Sequence, residues 1–162
     1  MTNPNADMSG VRQILKAVPF FRDLTPEELD WIVGLGRIVT YTKDMVLFKE
    51  GDQGEALYLV VDGSVRVSKT GPGSADQPMA FMERGSCFGE MALVDEFPRS
   101  ATAVANQESR ILFIEKQAFL NFLEQHPVVG RKILWAFCRS LSMRLREASD
   151  RIVALSSFTR PF

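Results

Sequence analysis

Histidine is almost missing from this chain: His126 is the single example, and cysteine occurs only at Cys87 and Cys138. A metal-dependent active site needs several imidazoles, thiolates or carboxylates converging on one point. One histidine before Pro127, at an expected helix boundary, reads instead as a surface or capping residue. No Ser–His–Asp or Cys–His set suggests itself either, so the chain is read as a non-enzyme. Two cysteines make no disulfide framework, and free thiols are expected. An excess of one charge is lacking too. Lys+Arg 19 against Asp+Glu 20 leave a net charge of -1, without the basic surplus that advertises nucleic-acid binding. No apolar run approaches the length of a membrane span, and the opening MTNPNADMSG has neither a basic region nor an apolar signal core. A cytoplasmic protein is the expectation.

What is present suits one domain with a real core: 162 residues, 46% of them apolar. Residues 1–10 read as a mobile tail, and 11–162 as a single domain. Helices are expected over 11–36. Val11, Ile14, Leu15 and Val18 share one face, Pro19 stops the run, and Phe20-Phe21 form an apolar plug. Thr25-Pro26-Glu27-Glu28 then combines an N-cap, a proline at the first helical position and acidic residues in the first turn. Leu29, Ile32, Val33 and Leu35 follow as its buried face. Short strands dominate 37–115, with turns at Lys43-Asp44 and Glu50 to Gly54. Asp62-Gly63 between Leu57–Val61 and Val65–Val67 is a hairpin signal, and Gly71 to Gln77 reads as a flexible loop. Many short strands predict an antiparallel β-roll or jelly roll of about eight strands. Helix returns over 116–157: first Lys116 to Gln125, with Phe119, Leu120 and Leu123 inward. A long helix then runs from Pro127 to about Ser156. In it Leu134, Leu141, Ala148 and Leu155 recur every seven residues, widened by Cys138, Leu145 and Ile152. Such a stripe is expected to bury partly on the barrel and partly on a partner, as a two-fold homodimer. No DNA-binding module is expected in this chain.

The most informative stretch is Phe88 to Ala105, FGEMALVDEFPRSATAVA. It reads as a turn, a turn or two of helix, a loop and the start of a strand. A helix N-terminus behind a glycine favours an anion. Arg99, nine positions after Glu90, supplies a guanidinium fork to the same anion. Glu90 beside such an anion needs donors of its own, and sugar hydroxyls satisfy that requirement. The bland alternative has Gly89-Glu90 merely starting a helix and Arg99 pairing with Asp95 or Glu96.

These residues resemble the phosphate-binding cassette of cyclic-nucleotide-binding domains, the family of catabolite-activator-type regulators and of cAMP-dependent kinase regulatory subunits. The F-K-E-G-D and L-Y-L-V-V-D-G-S-V runs, residues 48–52 and 57–65, extend the resemblance over most of the chain. The resemblance implies that Arg99 holds the cyclic phosphate and Glu90 accepts from the ribose 2′-hydroxyl. By the same resemblance Gly89, Met91, Ala92 and Ser100 are expected to line the site as well. On the long helix it implies that Arg144 stands near the base and that Ser149 reaches the partner subunit's ligand, while Ala148 departs from the family's threonine there. The implied ligand is cAMP, with cGMP as runner-up, no cofactor, and an unknown effector protein served by movement of the C-terminal helix. Other readings are a cyclic-dinucleotide sensor, a scaffold that has lost its ligand, and a cupin-type metal enzyme, which the shortage of histidine disfavours.

Overall fold

The computed structural model describes the backbone of residues 4–71 and 76–158, and the side chains of 10–71 and 77–154. Helix α1 (Pro4–Ala17) starts seven residues before the apolar face that announced it. The expected tail therefore corrects to helix from Pro4 onward. Proline suits a first helical position, but the polar turns after it carry no periodic signal. Val11, Ile14, Leu15 and Val18 are all buried, as are both plug phenylalanines. Helix α2 (Pro26–Gly34) opens with a complete capping box. The Thr25 hydroxyl accepts from Glu28 N, and Thr25 N donates to the Glu28 carboxylate at 2.8 Å.

Eight antiparallel strands form two four-stranded sheets. One is built from β1 (Gly36–Tyr41), β8 (Ser109–Glu115), β3 (Ala56–Asp62) and β6 (Cys87–Phe88), in that order. The other runs β2 (Val46–Phe48), β7 (Thr102–Ala105), β4 (Ser64–Thr70), β5 (Asp76–Glu83). The expected hairpin at Asp62-Gly63 is thus corrected: β3 and β4 pair with different neighbours and lie in different sheets. Gly63 takes φ +86, and an added Cβ would meet Ser109 Oγ at 2.4 Å. Ser64 N donates to that hydroxyl, which itself donates to Ser64 O. The turn is a corner carrying the chain between sheets, and a positive-φ glycine serves a corner as well as a hairpin. Of the expected loop at 71–77, residues 72–75 lie outside the described residues, and Asp76 and Gln77 begin β5.

Strand β3 explains why L-Y-L-V-V is continuous rather than alternating. Ala56, Tyr58 and Val60 point into the roll with Phe88, Ala103 and Ile111. Leu57, Leu59 and Val61 face outward beneath the helices, with Leu112 and Ile114. Both faces are buried, so period two disappears. Helix α3 (Lys116–Gln125) buries Phe119 and Phe122; Leu120 is only half-buried, and Leu123 packs at the edge of the core. His126 closes α3 and packs against the rings of Trp31 and Phe122, at 4.8 and 4.5 Å between centroids.

Helix α4 (Pro127–Phe158) joins the core through its first three turns. Val129, Ile133, Ala136 and Phe137 join the core beside Phe20, and Lys132 pairs with Glu28 of α2 at 2.7 Å. From Leu141 to Ala154 every described side chain is exposed. The described members of the seven-residue stripe are therefore exposed and outside the core, which corrects half of their expected burial. Leu134, Leu145 and Ile152 are 52%, 69% and 67% exposed. The side chain of Leu155 lies outside the described residues.

Candidate functional site

The cassette begins where β6 ends. Gly89 adopts φ +78 and leads into a four-residue 3-10 turn, Glu90–Leu93, rather than an α-helix. A turn this short makes a weak anion site by its dipole alone, so the electrostatics rest on Arg99. Its segment is fastened from both directions: Arg99 N donates to Asp52 O at 2.7 Å, and Gly51 N donates to Arg99 O at 2.9 Å.

The Arg99 side chain turns inward and is only 7% exposed. Nη2 donates to Ala56 O at 2.7 Å and Nη1 to Gly89 O at 3.1 Å. The guanidinium lies 4.3 Å above the Phe48 ring and 5.5 Å from that of Tyr58. Nε is buried without any hydrogen-bond partner. Among the described residues no carboxylate pairs with Arg99, so the reading in which it bridges to Asp95 or Glu96 is set aside. Burial pulls its pKa down from the ordinary value, against the opposing influence of Tyr58, Glu90 and Asp52. Arginine stays a cation regardless. A cation taken out of water with an orphaned donor and no counter-ion is a costly arrangement for a surface loop and a natural one for an anion site.

Glu90 is equally buried, at 6% exposure. Its Oε1 accepts from Arg144 Nη1, reaching across from α4. Arg144 is thus brought to the cassette through the Glu90 carboxylate. Nearby Cys87 is a free thiol whose pKa burial pushes well up, helped by the Glu90 charge and opposed by Arg144. Cys138, on α4, is free and exposed.

A cavity of about 170 Å³ brings six of the sequence-derived residues together: Gly89, Glu90, Met91, Ala92, Arg99 and Ser100. Ser149 is elsewhere, exposed on α4 with its hydroxyl donating to Leu145 O. Sequence reasoning missed Phe48, Val67, Met82 and Phe97, which supply the apolar wall, and Tyr58 beneath the guanidinium. Val67 and Met82 face each other's strands in the β4–β5 ladder, and no local motif marks such residues as lining a site. Among the described residues no cluster of His, Cys, Asp or Glu is arranged to hold a metal.

A family model for the cyclic nucleotide-binding domain matches residues 38–126, more than half of the chain. The chain belongs to the cyclic nucleotide-binding domain family. It is 35% identical over 142 residues to the cyclic AMP receptor protein of Thermus thermophilus, covering 88% of this chain and 64% of that one. It is also 35% identical over 118 residues to a cAMP-dependent protein kinase regulatory subunit of Pyricularia oryzae, covering 72% of this chain and 30% of the relative. The chain thus spans less than two-thirds of the length of these curated relatives. Among solved structures, a cyclic nucleotide-binding domain from Methylobacillus flagellatus superposes with a TM-score of 0.77 at 30% identity, over 92% of this chain and 85% of that one. The Thermus thermophilus catabolite activator protein superposes at 0.75 and 36% identity, over 85% and 63%. The β-roll with its flanking helices is therefore the family's fold, and no described helix is long and apolar enough to cross a membrane.

Proposed function

We propose that this domain is a non-enzymatic sensor of a cyclic nucleotide, cAMP ahead of cGMP, reporting to a protein effector through α4. The observation that supports it most is Arg99, a buried guanidinium with an unpartnered Nε and no carboxylate counter-ion. A cyclic phosphate provides one negative charge and the acceptors that Nε lacks. Ser100 adds a hydroxyl beside it. Glu90, with Oε1 on Arg144, keeps Oε2 for the ribose 2′-hydroxyl. The cavity at about 170 Å³ is smaller than the usual small-molecule site, about 300 Å³ or more. The sugar and phosphate occupy it and the base extends outward along α4.

The second half of the reading concerns α4. Its stripe of Leu134, Leu141, Leu145 and Ile152 is exposed along the free helix, and a second copy related by two-fold symmetry is the simplest cover. Ser149 then belongs to the seam, positioned for the partner subunit's ligand. Arg144 ties the helix to Glu90, so a ligand that changes Glu90's partners has differential affinity for the two positions of α4, as any coupling requires.

Thermal melts and titration calorimetry against cAMP, cGMP and cyclic dinucleotides test the binding. Ligand at about one hundred times its dissociation constant contributes about 2.7 kcal/mol to stability. The 2′-deoxy analogue is expected to bind markedly more weakly than cAMP. Equal binding of the two would remove the role given to Glu90, and no response to any nucleotide would leave a scaffold reading.

A further inference from the structure

Charge on α4 is distributed unlike charge on the rest of the chain. Residues 127–146 contain Arg131, Lys132, Arg139, Arg144 and Arg146 and no aspartate or glutamate, within a chain of net charge -1. Two of these cations are committed, Lys132 to Glu28 and Arg144 to Glu90. Arg131, Arg139 and Arg146 are exposed and form no ion pair among the described residues. At about 100° per residue these three fall within a sector about 80° wide, spread over about 22 Å of helix. Trp135 sits inside the same sector, 65% exposed. Its indole separates two concavities. One, of about 430 Å³, is lined by Asp23, Arg131 and Lys132. The other, of about 370 Å³, is lined by Cys138, Arg139, Met143 and Arg146.

We propose that this Trp135–arginine face of α4 is a docking site for an acidic amphipathic helix of a partner protein. An exposed indole flanked by guanidinium groups is the composition of an interface centre, since tryptophan and arginine carry most of the binding energy at such surfaces. Two separate hollows accept two discrete apolar side chains, about one or two helical turns apart on the partner. The cationic rim selects carboxylates around them. Asp23 at the end nearest the helix base opposes an acidic residue there, so the partner's carboxylates fall toward Arg139 and Arg146. A lipid surface fits less well, because Trp135 and Met143 are the only large apolar groups lining the hollows. Nucleic acid would leave the hollows unfilled. The face lies about 100° around the helix from Leu134, Leu141 and Leu145, so a second copy covering that stripe leaves it accessible. The proposal goes beyond nucleotide binding and stands or falls separately from it.

The test uses the full chain carrying Trp31→Phe, so that Trp135 alone reports, without nucleotide. The probe is a synthetic amphipathic helix of about five turns, with leucines on one face and glutamates elsewhere. Its scrambled isomer is the control. The ordered peptide is expected to shift Trp135 emission to the blue and to bind saturably. Arg139→Glu with Arg146→Glu should weaken it by at least about tenfold, and added salt should weaken it too. Trp135→Ala, followed by anisotropy of a labelled peptide, should do the same. The substituted side chains are all exposed, and the melting temperatures of the variants check that they fold. Equal binding of the scrambled peptide or of the reversed variants overturns the proposal. So does binding of phosphatidylserine vesicles or duplex DNA in place of the peptide, association only between copies of this chain, or no binding at all.

Discussion

At the residue scale the cassette is organised around a buried cation that forms no ion pair among the described residues. Arg99 donates to two carbonyls and lies against two ring faces, which fix its plane but leave Nε without a partner. Replacing such a group by an apolar one of similar length removes a desolvation cost along with the hydrogen bonds. Arg99→Met is therefore expected to keep or raise the unliganded melting temperature while losing the nucleotide-induced shift. The lost charge-assisted contacts amount to about 1.5–3 kcal/mol of binding. A melting temperature lower by many degrees would show instead that Arg99 carries the fold. Gly89 guards the same guanidinium: at φ +78, an added Cβ lies 2.7 Å from Nη1. Gly89→Ala should cost about 1–2 kcal/mol of stability through the left-handed backbone and weaken nucleotide binding further by displacing Arg99. Denaturant melts and calorimetry separate the two effects.

Among the elements, α4 is two objects in one helix. Its base is part of the core, while from Leu141 to Ala154 its side chains are exposed and Arg144 reaches back to Glu90. The base is also wired to α2 by Glu28, which caps α2 and accepts Lys132 at 2.7 and 2.9 Å. Burial raises the Glu28 carboxyl, but Lys132 and the Thr25 amide outweigh it, so the pKa lies below the ordinary 4.5. The linkage then has a definite sign. The contribution is complete above about pH 4.5 and is lost as pH falls through the lowered folded value. Glu28→Gln keeps the cap geometry and loses the ion pair, at a cost of about 1 kcal/mol at neutral pH. The difference in stability between wild type and variant should shrink as pH drops below 4.5, measured by urea melts across the acid range. A difference that stays constant would assign the cost to packing. The cassette's 3-10 turn makes the complementary point. Its start at Gly89-Glu90 was legible from residue order, but its shortness was not. Leu93 and Val94 read as helix-formers until the loop is closed by Val94 N and Asp95 N, both donating to Met91 O.

For the whole molecule, the exposed stripe on α4 decides the quaternary expectation. Leu141→Glu places a carboxylate in the proposed seam and leaves the cassette untouched. Sedimentation velocity is expected to show a wild-type dimer and a monomeric variant, each with nucleotide and without it. A wild type that is monomeric under every condition would remove the seam, and with it the reach of Ser149 into a partner's site.

Local chemistry was enough to determine a good deal here. The Thr25 capping box, the punctuation of the strands, and the order Gly89-Glu90 to Arg99-Ser100 are all written over short stretches, where side-chain type and spacing act directly on the nearest backbone. What the tertiary structure alone decided involves residues far apart in the chain. Arg99 donates to Ala56 O across 43 positions, and Arg144 meets Glu90 across 54. Asp62-Gly63 turned out to be a corner because Ser109, which holds Ser64, lies 45 positions on. Packing likewise chose which side of α4 meets the core. Val129, Ile133 and Phe137 were taken inward, and the seven-residue stripe was left outside. Periodicity announces that a helix has an apolar side, but when apolar residues cover more than one side, only the shape of what it packs against selects between them.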